Sequence, residues 1–327
     1  MTSLSDSSIL VTGGTGSFGQ KFVRHLLAHH KPRRIVVYSR DELKQYEMAQ
    51  SIQASQLRYF IGDVRDRERL SRALHGIDTI VHAAAMKQVV AAEYNPIECI
   101  KTNVIGAENI VNAAIDSGIK KVIALSTDKA VNPINLYGAT KLCSDKLFIA
   151  GNHLAGRNGP RFSVVRYGNV AGSRGSVVPL FQKLRASGKL PITDERMTRF
   201  WITLKQGVEF VDRCLGLMRG GEVFIPKIPS MRIVELAKAM APECEQDVVG
   251  IRPGEKLHEC MIPQDEARLT REFGDFYVIL PSMPTGQAAG DWTYEGSTGK
   301  AVAENFEYSS ETNDRWTDHT QLLEMIQ

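Results

Sequence analysis

Tyr137-Gly138-Ala139-Thr140-Lys141 sets a phenol and an ammonium four residues apart, which on a helix places both on one face. A neighbouring ammonium, helped by a positively charged nicotinamide, draws a phenol pKa down toward the operating range. Tyr137 can then take a hydroxyl proton while hydride leaves the same carbon. The spacing is common and means little alone. It gains meaning from Leu125-Ser126-Thr127 just upstream, where Thr127 is placed to hydrogen-bond the same substrate oxygen. Asp128-Lys129 follows at once. Once a carbon is oxidised to a ketone, its neighbour's proton becomes acidic. Eliminating water then needs a base for that proton and an acid for the departing hydroxyl. Asp128 is the candidate acid if burial raises its pKa, and Lys129 the candidate base if a closed site lowers its own. Such a dipeptide is otherwise a solvated turn before Pro133. Its place at the end of a strand in an open α/β sheet, where ligands bind, favours the chemical reading.

The elements that must hold these groups are legible as short β-branched runs separated by longer helical patterns. The runs are Ile9-Leu10-Val11, Arg34 to Tyr38, Leu57 to Phe60, Thr79 to His82, Lys121 to Leu125 and Phe162 to Arg166. Strands apolar nearly throughout, with helices between them, require a parallel sheet buried on both faces. The fold class is therefore α/β, a Rossmann-like doubly wound sheet with a smaller C-terminal substrate-binding lobe. Between the first strand and a helix lies Thr12-Gly13-Gly14-Thr15-Gly16-Ser17-Phe18-Gly19. Its glycines allow a tight turn, close approach to a pyrophosphate and tight helix packing, while the helix N-terminus supplies donors. The second strand ends in Tyr38-Ser39-Arg40-Asp41. Ser39 and Arg40 stand where an NAD enzyme usually carries a ribose-binding carboxylate, and an arginine suits a 2′-phosphate, so NADP is the expected cofactor. Asp41 either reaches a ribose or caps the next helix. Asp63 and Val64 are expected near the adenine, and Ala83-Ala84-Ala85 as a thin wall along the cofactor.

With 327 residues, 43% of them hydrophobic and 24% charged, the composition is that of an ordinary globular enzyme. A net charge of +3 without a basic block implies no nucleic-acid partner. Five scattered cysteines without a CxxC pair suggest neither disulfides nor a metal site. Ser5-Asp6-Ser7-Ser8 leads into the first strand without a signal-like run, and no apolar stretch approaches about 18 residues, so a cytoplasmic protein that does not span a membrane is expected. Residues 1–167 are expected to form the NADP-binding domain with later segments interleaved, 168–280 the substrate lobe, and 281–327 a loosely structured tail. In the lobe, Asn169, Arg174, Val177 and Arg199 are candidate substrate contacts. Arg252 in a rigid turn suits a diphosphate, and Glu255 a ribose. His258 reads as a structural hydrogen-bonder.

Gly13-x-x-Gly16-x-x-Gly19, Asp63, Asn103, Ser126-Thr127 and Tyr137-x-x-x-Lys141 resemble the extended short-chain dehydrogenase/reductase superfamily, in which Asn103 would support the cofactor-side hydrogen-bond network. A closer resemblance rests on Tyr38 to Lys44, Ala124 to Ala130, Asn132 to Lys141, Val165 to Val170, Met197 to Trp201 and Arg252 to Glu259. These runs look like the inverting UDP-N-acetylglucosamine 4,6-dehydratases that start pseudaminic acid biosynthesis. The resemblance covers about residues 8 to 280 and weakens in the tail. It implies that Asp128 and Lys129 are the elimination pair, Tyr137 the redox base and Lys141 its partner. It further implies UDP-N-acetylglucosamine as substrate, homo-oligomers that are often hexamers, and a downstream use such as flagellin glycosylation. Met86-Lys87-Gln88-Val89-Val90 departs from the family's Lys-His-Val-Pro run, which leaves Lys87 as a candidate for substrate or cofactor and puts a role for Gln88 in doubt. Open alternatives are the dehydratase/epimerase of the UDP-N-acetyl-L-fucosamine route, a UDP-sugar 4-epimerase, and a non-enzymatic NADP-sensing regulator.

Overall fold

The structure is a computed structural model that describes residues 4–172, 176–283 and 292–326. The apolar runs form parallel strands β1 (Ser8–Thr12), β2 (Arg34–Ser39), β3 (Leu57–Ile61), β4 (Thr79–His82), β5 (Lys121–Thr127) and β6 (Arg161–Tyr167). They lie in the order β3-β2-β1-β4-β5-β6, with in-register pairs such as Val11 with Val37 and with Val81. Between them run α1 (Ser17–His29), α2 (Glu42–Ser51), α3 (Arg67–Ala73), α4 (Val89–Tyr94), α5 (Pro96–Ile100), α6 (Gly106–Asp116) and α7 (Leu136–Ala155). Every residue of β1 and β4 is buried, as a sheet covered on both faces demands. On α1, Phe22, Val23 and Leu26 form the buried stripe, each worth about 1.5–3 kcal/mol of burial.

The reversal of strand order between β1 and β4 opens a crevice at the C-terminal ends of the strands. That is where the sequence places its glycine loop and its Thr127-Asp128-Lys129 run. A π-helical turn, Lys101–Ile105, joins α5 to α6 and directs Asn103 inward.

The later half of the chain splits its loyalty. Val223–Pro226 extends the parallel sheet beside β6, and Phe276–Ile279, Thr270–Glu272 and Lys300–Ala301 add antiparallel strands beyond it. A separate small core gathers Phe181, Leu190, Trp201, Met231, Leu236 and Leu322. The described part of the 281–327 segment packs on both units. Tyr294 stands edge-on to Phe224 and Phe273, and the last helix, His319–Ile326, lies on Ile233–Met240. No described helix is long and apolar enough to cross a membrane.

Candidate active site

A cavity of about 960 Å³ runs along the C-terminal ends of the strands, walled at one end by the glycine loop and at the other by Thr127, Lys129, Tyr137, Lys141 and Asn169. At the first end the walls are mostly backbone. A Cβ on Gly19 would lie 2.5 Å from the Gly14 backbone, so only glycine lets α1 start this close to the strand. The Thr12 hydroxyl accepts from the amides of Ala83 (3.1 Å) and Ala84 (3.2 Å), drawing the thin wall toward the loop. Gly16 caps α1 without a side chain, which leaves the first amides of that helix free to meet a phosphate. Gly13, Thr15, Gly16, Ser17, Phe18, Gly19, Ala83 and Ala84 all line the cavity, and this donor-rich cradle fits a dinucleotide.

At the adenosine side, Gln45 donates to the Ser39 hydroxyl (3.0 Å), while the Arg40 side chain is 58% exposed and 3.7 Å from Asp63. Asp63 is oriented by Arg65 (2.7 Å); burial alone would raise its pKa, but the hydrogen bonds from Arg65 hold it below the usual range. Val64 packs beneath, against Gly106. Asp41 caps α2 by accepting from the Lys44 amide (3.0 Å), the helix-capping alternative rather than a ribose contact. Asn103 accepts from the Met86 amide (2.8 Å) and donates to the Met86 carbonyl and to Thr140, tying the 83–88 loop to α7.

At the other end side chains dominate. Asn135 caps α7 by accepting from the Gly138 amide (2.7 Å), and a Cβ on Gly138 would stand 2.1 Å from the Lys129 carbonyl. That close approach lays α7 against the short 3₁₀ turn Asp128–Ala130 and brings Tyr137 beside Thr127 and Lys129. Asp128 is wholly buried. Its Oδ1 accepts from Thr127 (2.8 Å) and Lys129 Nζ (3.1 Å), and its Oδ2 has no hydrogen-bond partner among the described residues. Burial raises its pKa, the direction that a general acid would need.

Two sequence expectations need correction. Lys129 is not poised as a free amine: burial would lower its pKa, but Asp128 and Glu259 outweigh that and hold it raised. Nor is the Tyr137 phenol lowered in the chain by itself. Burial pushes it up to about 12, against the pull of Lys129 and a hydrogen bond with Thr127. Lys141 donates instead to the Leu125 carbonyl (2.8 Å), and burial lowers its pKa while Asp145 raises it.

The substrate candidates divide. Asn169 lines the cavity and accepts from Lys129 (3.2 Å), and Lys87 sits on the cavity wall, where burial lowers its pKa. Arg199 is a correction: its guanidinium donates to the carbonyls of Thr198, Lys256 and Leu257 and lies 3.8 Å from Glu259, so it braces the wall rather than facing a ligand. Arg252 and Glu255 pair at 3.7 Å on a turn outside the cavity wall, docked on α7 through the bond from Asn135 to the Gly254 carbonyl (2.7 Å). Val177 starts a helix just past the cavity-lining Ser176, and Arg174 lies outside the described residues. His258 bonds Thr198 (2.8 Å), a structural contact.

Sequence reasoning gave no role to Glu259, 2% exposed and 3.1 Å from Lys129, or to Asp145, which accepts from Ser126 (2.6 Å) behind Lys141. Neither has a local spacing that points at the site. Among the described residues, His25, His30 and Asp212 form the one group close enough to hold a metal; both imidazoles lie 2.9 Å from the carboxylate, pinning α1 to the helix Leu204–Leu217 away from the cavity.

Residues 9–281 match the family model described as polysaccharide biosynthesis protein. The UDP-N-acetylglucosamine 4,6-dehydratase (inverting) of Campylobacter jejuni subsp. jejuni serotype O:2 is 57% identical over 98% of this chain and 97% of its own. Among solved structures, Pen from Bacillus thuringiensis superposes with a TM-score of 0.89 at 34% identity, over 100% of this chain and 98% of its own. The NAD-bound dTDP-glucose 4,6-dehydratase of Streptomyces venezuelae follows with a TM-score of 0.68 at 26% identity, over 76% of this chain and 86% of its own.

Proposed function

The chain belongs to the polysaccharide biosynthesis protein family, and from that premise we propose that it is an NADP-dependent hydro-lyase that removes water from UDP-N-acetylglucosamine and inverts C5. The observation that carries the reading is Lys129, which shares the cavity wall with Thr127 and Tyr137 and donates to the buried Asp128 directly behind it. A 4-epimerase or a cofactor-sensing regulator would leave that pair idle. The intact Tyr137 speaks against the dehydratase/epimerase alternative.

A bound nicotinamide would supply the hydride acceptor for C4 of the sugar and the hydride donor for C6. The glycine loop and the α1 N-terminus would hold the pyrophosphate, Ala83, Ala84, Asp63 and Val64 would flank the adenosine, and Arg40 would take the 2′-phosphate. Asn103, which ties the 83–88 loop to α7, and Lys141 would order the cofactor-side wall. Tyr137, with Thr127 beside it, takes the O4 proton. Its phenol must come down from its resting value, which the charge of the oxidised cofactor favours. The resulting ketone acidifies C5–H. Asp128, whose pKa burial raises, gives its proton to the C6 hydroxyl as water departs, and Lys129 takes the C5 proton after giving up one of its own. Proton return to the opposite face of C5 gives UDP-2-acetamido-2,6-dideoxy-β-L-arabino-hexos-4-ulose.

Asn169, Lys87, Val177 and Arg174 are assigned to the sugar and its phosphates, and Arg252 and Glu255 to the uridine end once their turn closes on the ligand. We assign the protein to the cytoplasm, as a homo-oligomer feeding pseudaminic acid synthesis and flagellin glycosylation. Incubation with UDP-N-acetylglucosamine in deuterated water, followed by NMR, tests the reading. A 6-deoxy-4-keto product with deuterium at C5 is expected; a C4 epimer without solvent exchange, or unchanged sugar, sinks it.

A further inference from the structure

Lys129 enters the elimination as a base, yet the structure holds it as an ammonium between two carboxyl groups. Its Nζ lies 3.1 Å from Asp128 Oδ1 and 3.1 Å from Glu259 Oε1. An ammonium has no lone pair, so it takes no proton from carbon until it loses one. Asp128 is committed in this reading to the departing hydroxyl as its acid, so it is not the recipient. Glu259 is different. Burial would raise it too, but Lys129, Arg199 and Lys256 surround it and hold it charged, with Arg199 Nε and Lys256 Nζ each 3.8 Å away.

We propose that Glu259 is the positioning residue of the elimination: it anchors the Lys129 ammonium and receives its proton, freeing the amine that takes C5–H. The inference rests on the dehydratase reading and deepens it. The protons balance. One passes from Lys129 Nζ to Glu259 Oε1 along their hydrogen bond, and the C5 proton then moves to the neutral Nζ. The electron pair of the broken C5–H bond forms the C5–C6 double bond, and the C6 hydroxyl leaves with the Asp128 proton as water. C5 receives its new proton on the opposite face, and the proton held by Glu259 leaves to solvent as that donor is recharged, which returns the cluster to its resting charge. The resting state lies on the charged side, so the neutral amine is a minor species and its cost forms part of the barrier.

Glu259 reaches this place through the C-terminal half of the chain. Its amide donates to the Ser310 hydroxyl (2.9 Å), and its carbonyl accepts from the Ser310 amide (2.7 Å). Ser310 also meets the Thr198 hydroxyl at 2.7 Å. The stretch around residue 310 thus grips the backbone of a residue whose carboxylate lies in the elimination site, which gives this part of the tail a direct bearing on chemistry.

The test compares wild-type protein, Glu259→Gln, Glu259→Asp and Ser310→Ala, each full-length and NADP-loaded, with UDP-N-acetylglucosamine in deuterated water. Nicotinamide absorbance reports C4 oxidation, NMR reports C5 deuterium and water loss, and thermal melting reports the fold. For Glu259→Gln, C4 oxidation and KM stay within a few-fold of wild type, while C5 exchange and dehydration fall about 100-fold or more. Glu259→Asp recovers part of the loss. Ser310→Ala, which leaves the charged cluster intact, lowers dehydration more than oxidation. Wild-type C5 exchange in Glu259→Gln overturns the proposal, as does a parallel fall of oxidation and elimination in a folded Glu259→Gln and Ser310→Ala. A wild-type protein that oxidises C4 but never exchanges C5 overturns the dehydratase reading itself, and that outcome is seen without any substitution.

Discussion

The two ends of the cavity are built from different material. At the nucleotide end the contacts are backbone amides and the absence of side chains: a glycine loop, an uncapped helix start and an alanine wall. At the sugar end they are side chains: Lys129, Tyr137 and Asn169 face the cavity, and the charges of Asp128, Glu259, Arg199 and Lys256 pack behind Lys129. A backbone site responds to shape and tolerates changes of side chain that add no bulk. A buried charge network responds to the loss of any one member, because the remaining charges are left uncompensated. Substitutions at the two ends should therefore fail in different ways.

The largest effect is expected at the sugar end. Lys129→Ala removes the proposed C5 base and the cation shared by Asp128 and Glu259, and dehydration should fall by about 10³–10⁴-fold. Oxidation at C4, read as a burst of reduced nicotinamide, should fall much less, because Tyr137 loses the pull of Lys129 but keeps Thr127 beside it, and the glycine loop is untouched. Equal loss of both steps would show that the two ends are not separable.

A smaller effect of the opposite kind is expected from Gly19→Ala. Its Cβ would meet the Gly14 backbone at 2.5 Å, so α1 must move away from the loop. At about 1–3 kcal/mol of strain, dinucleotide affinity should drop on the order of 10–100-fold in a titration of the cofactor-free protein. Once the cofactor is saturating, the ratio of dehydration to oxidation should match wild type. A changed ratio would mean that the loop also shapes the sugar end.

The same contrast explains what the sequence discloses. The nucleotide end is nearly contiguous: a strand, a glycine-spaced turn and a helix follow one another from Ser8 to His29, and the physics that demands glycine there is local. Thr127, Asp128, Lys129, Tyr137 and Lys141 are legible for the same reason, since all lie on one strand end and one helix start. The ionisation of Lys129 is not legible. It depends on Glu259, which lies 130 positions further along the chain and arrives through Ser310 in a segment that reads as tail. Arg199 fails in the complementary direction. In sequence it is a free cation, but folding spends its guanidinium on three carbonyls that a string of letters does not place.

Arg40 is where the nucleotide end departs from its own rule, because there a side chain and not the backbone is asked to choose the ligand. Ser39 is engaged by Gln45, and Lys44 is paired with Asp41 at 2.6 Å. Arg40, held only by a 3.7 Å contact with Asp63, is thus the cation freest to meet a 2′-phosphate. A charge-assisted bond of this kind is worth about 1.5–3 kcal/mol when buried, but with more than half of the side chain in water screening should reduce it to about 1 kcal/mol. Arg40→Ala should therefore weaken NADP binding by roughly 5–10-fold while leaving NAD binding nearly unchanged, and the difference should shrink as salt is raised. Parallel changes in the two affinities would assign Arg40 to the adenine or to Asp63 instead, and the proposed preference for NADP would lose the side chain it rests on.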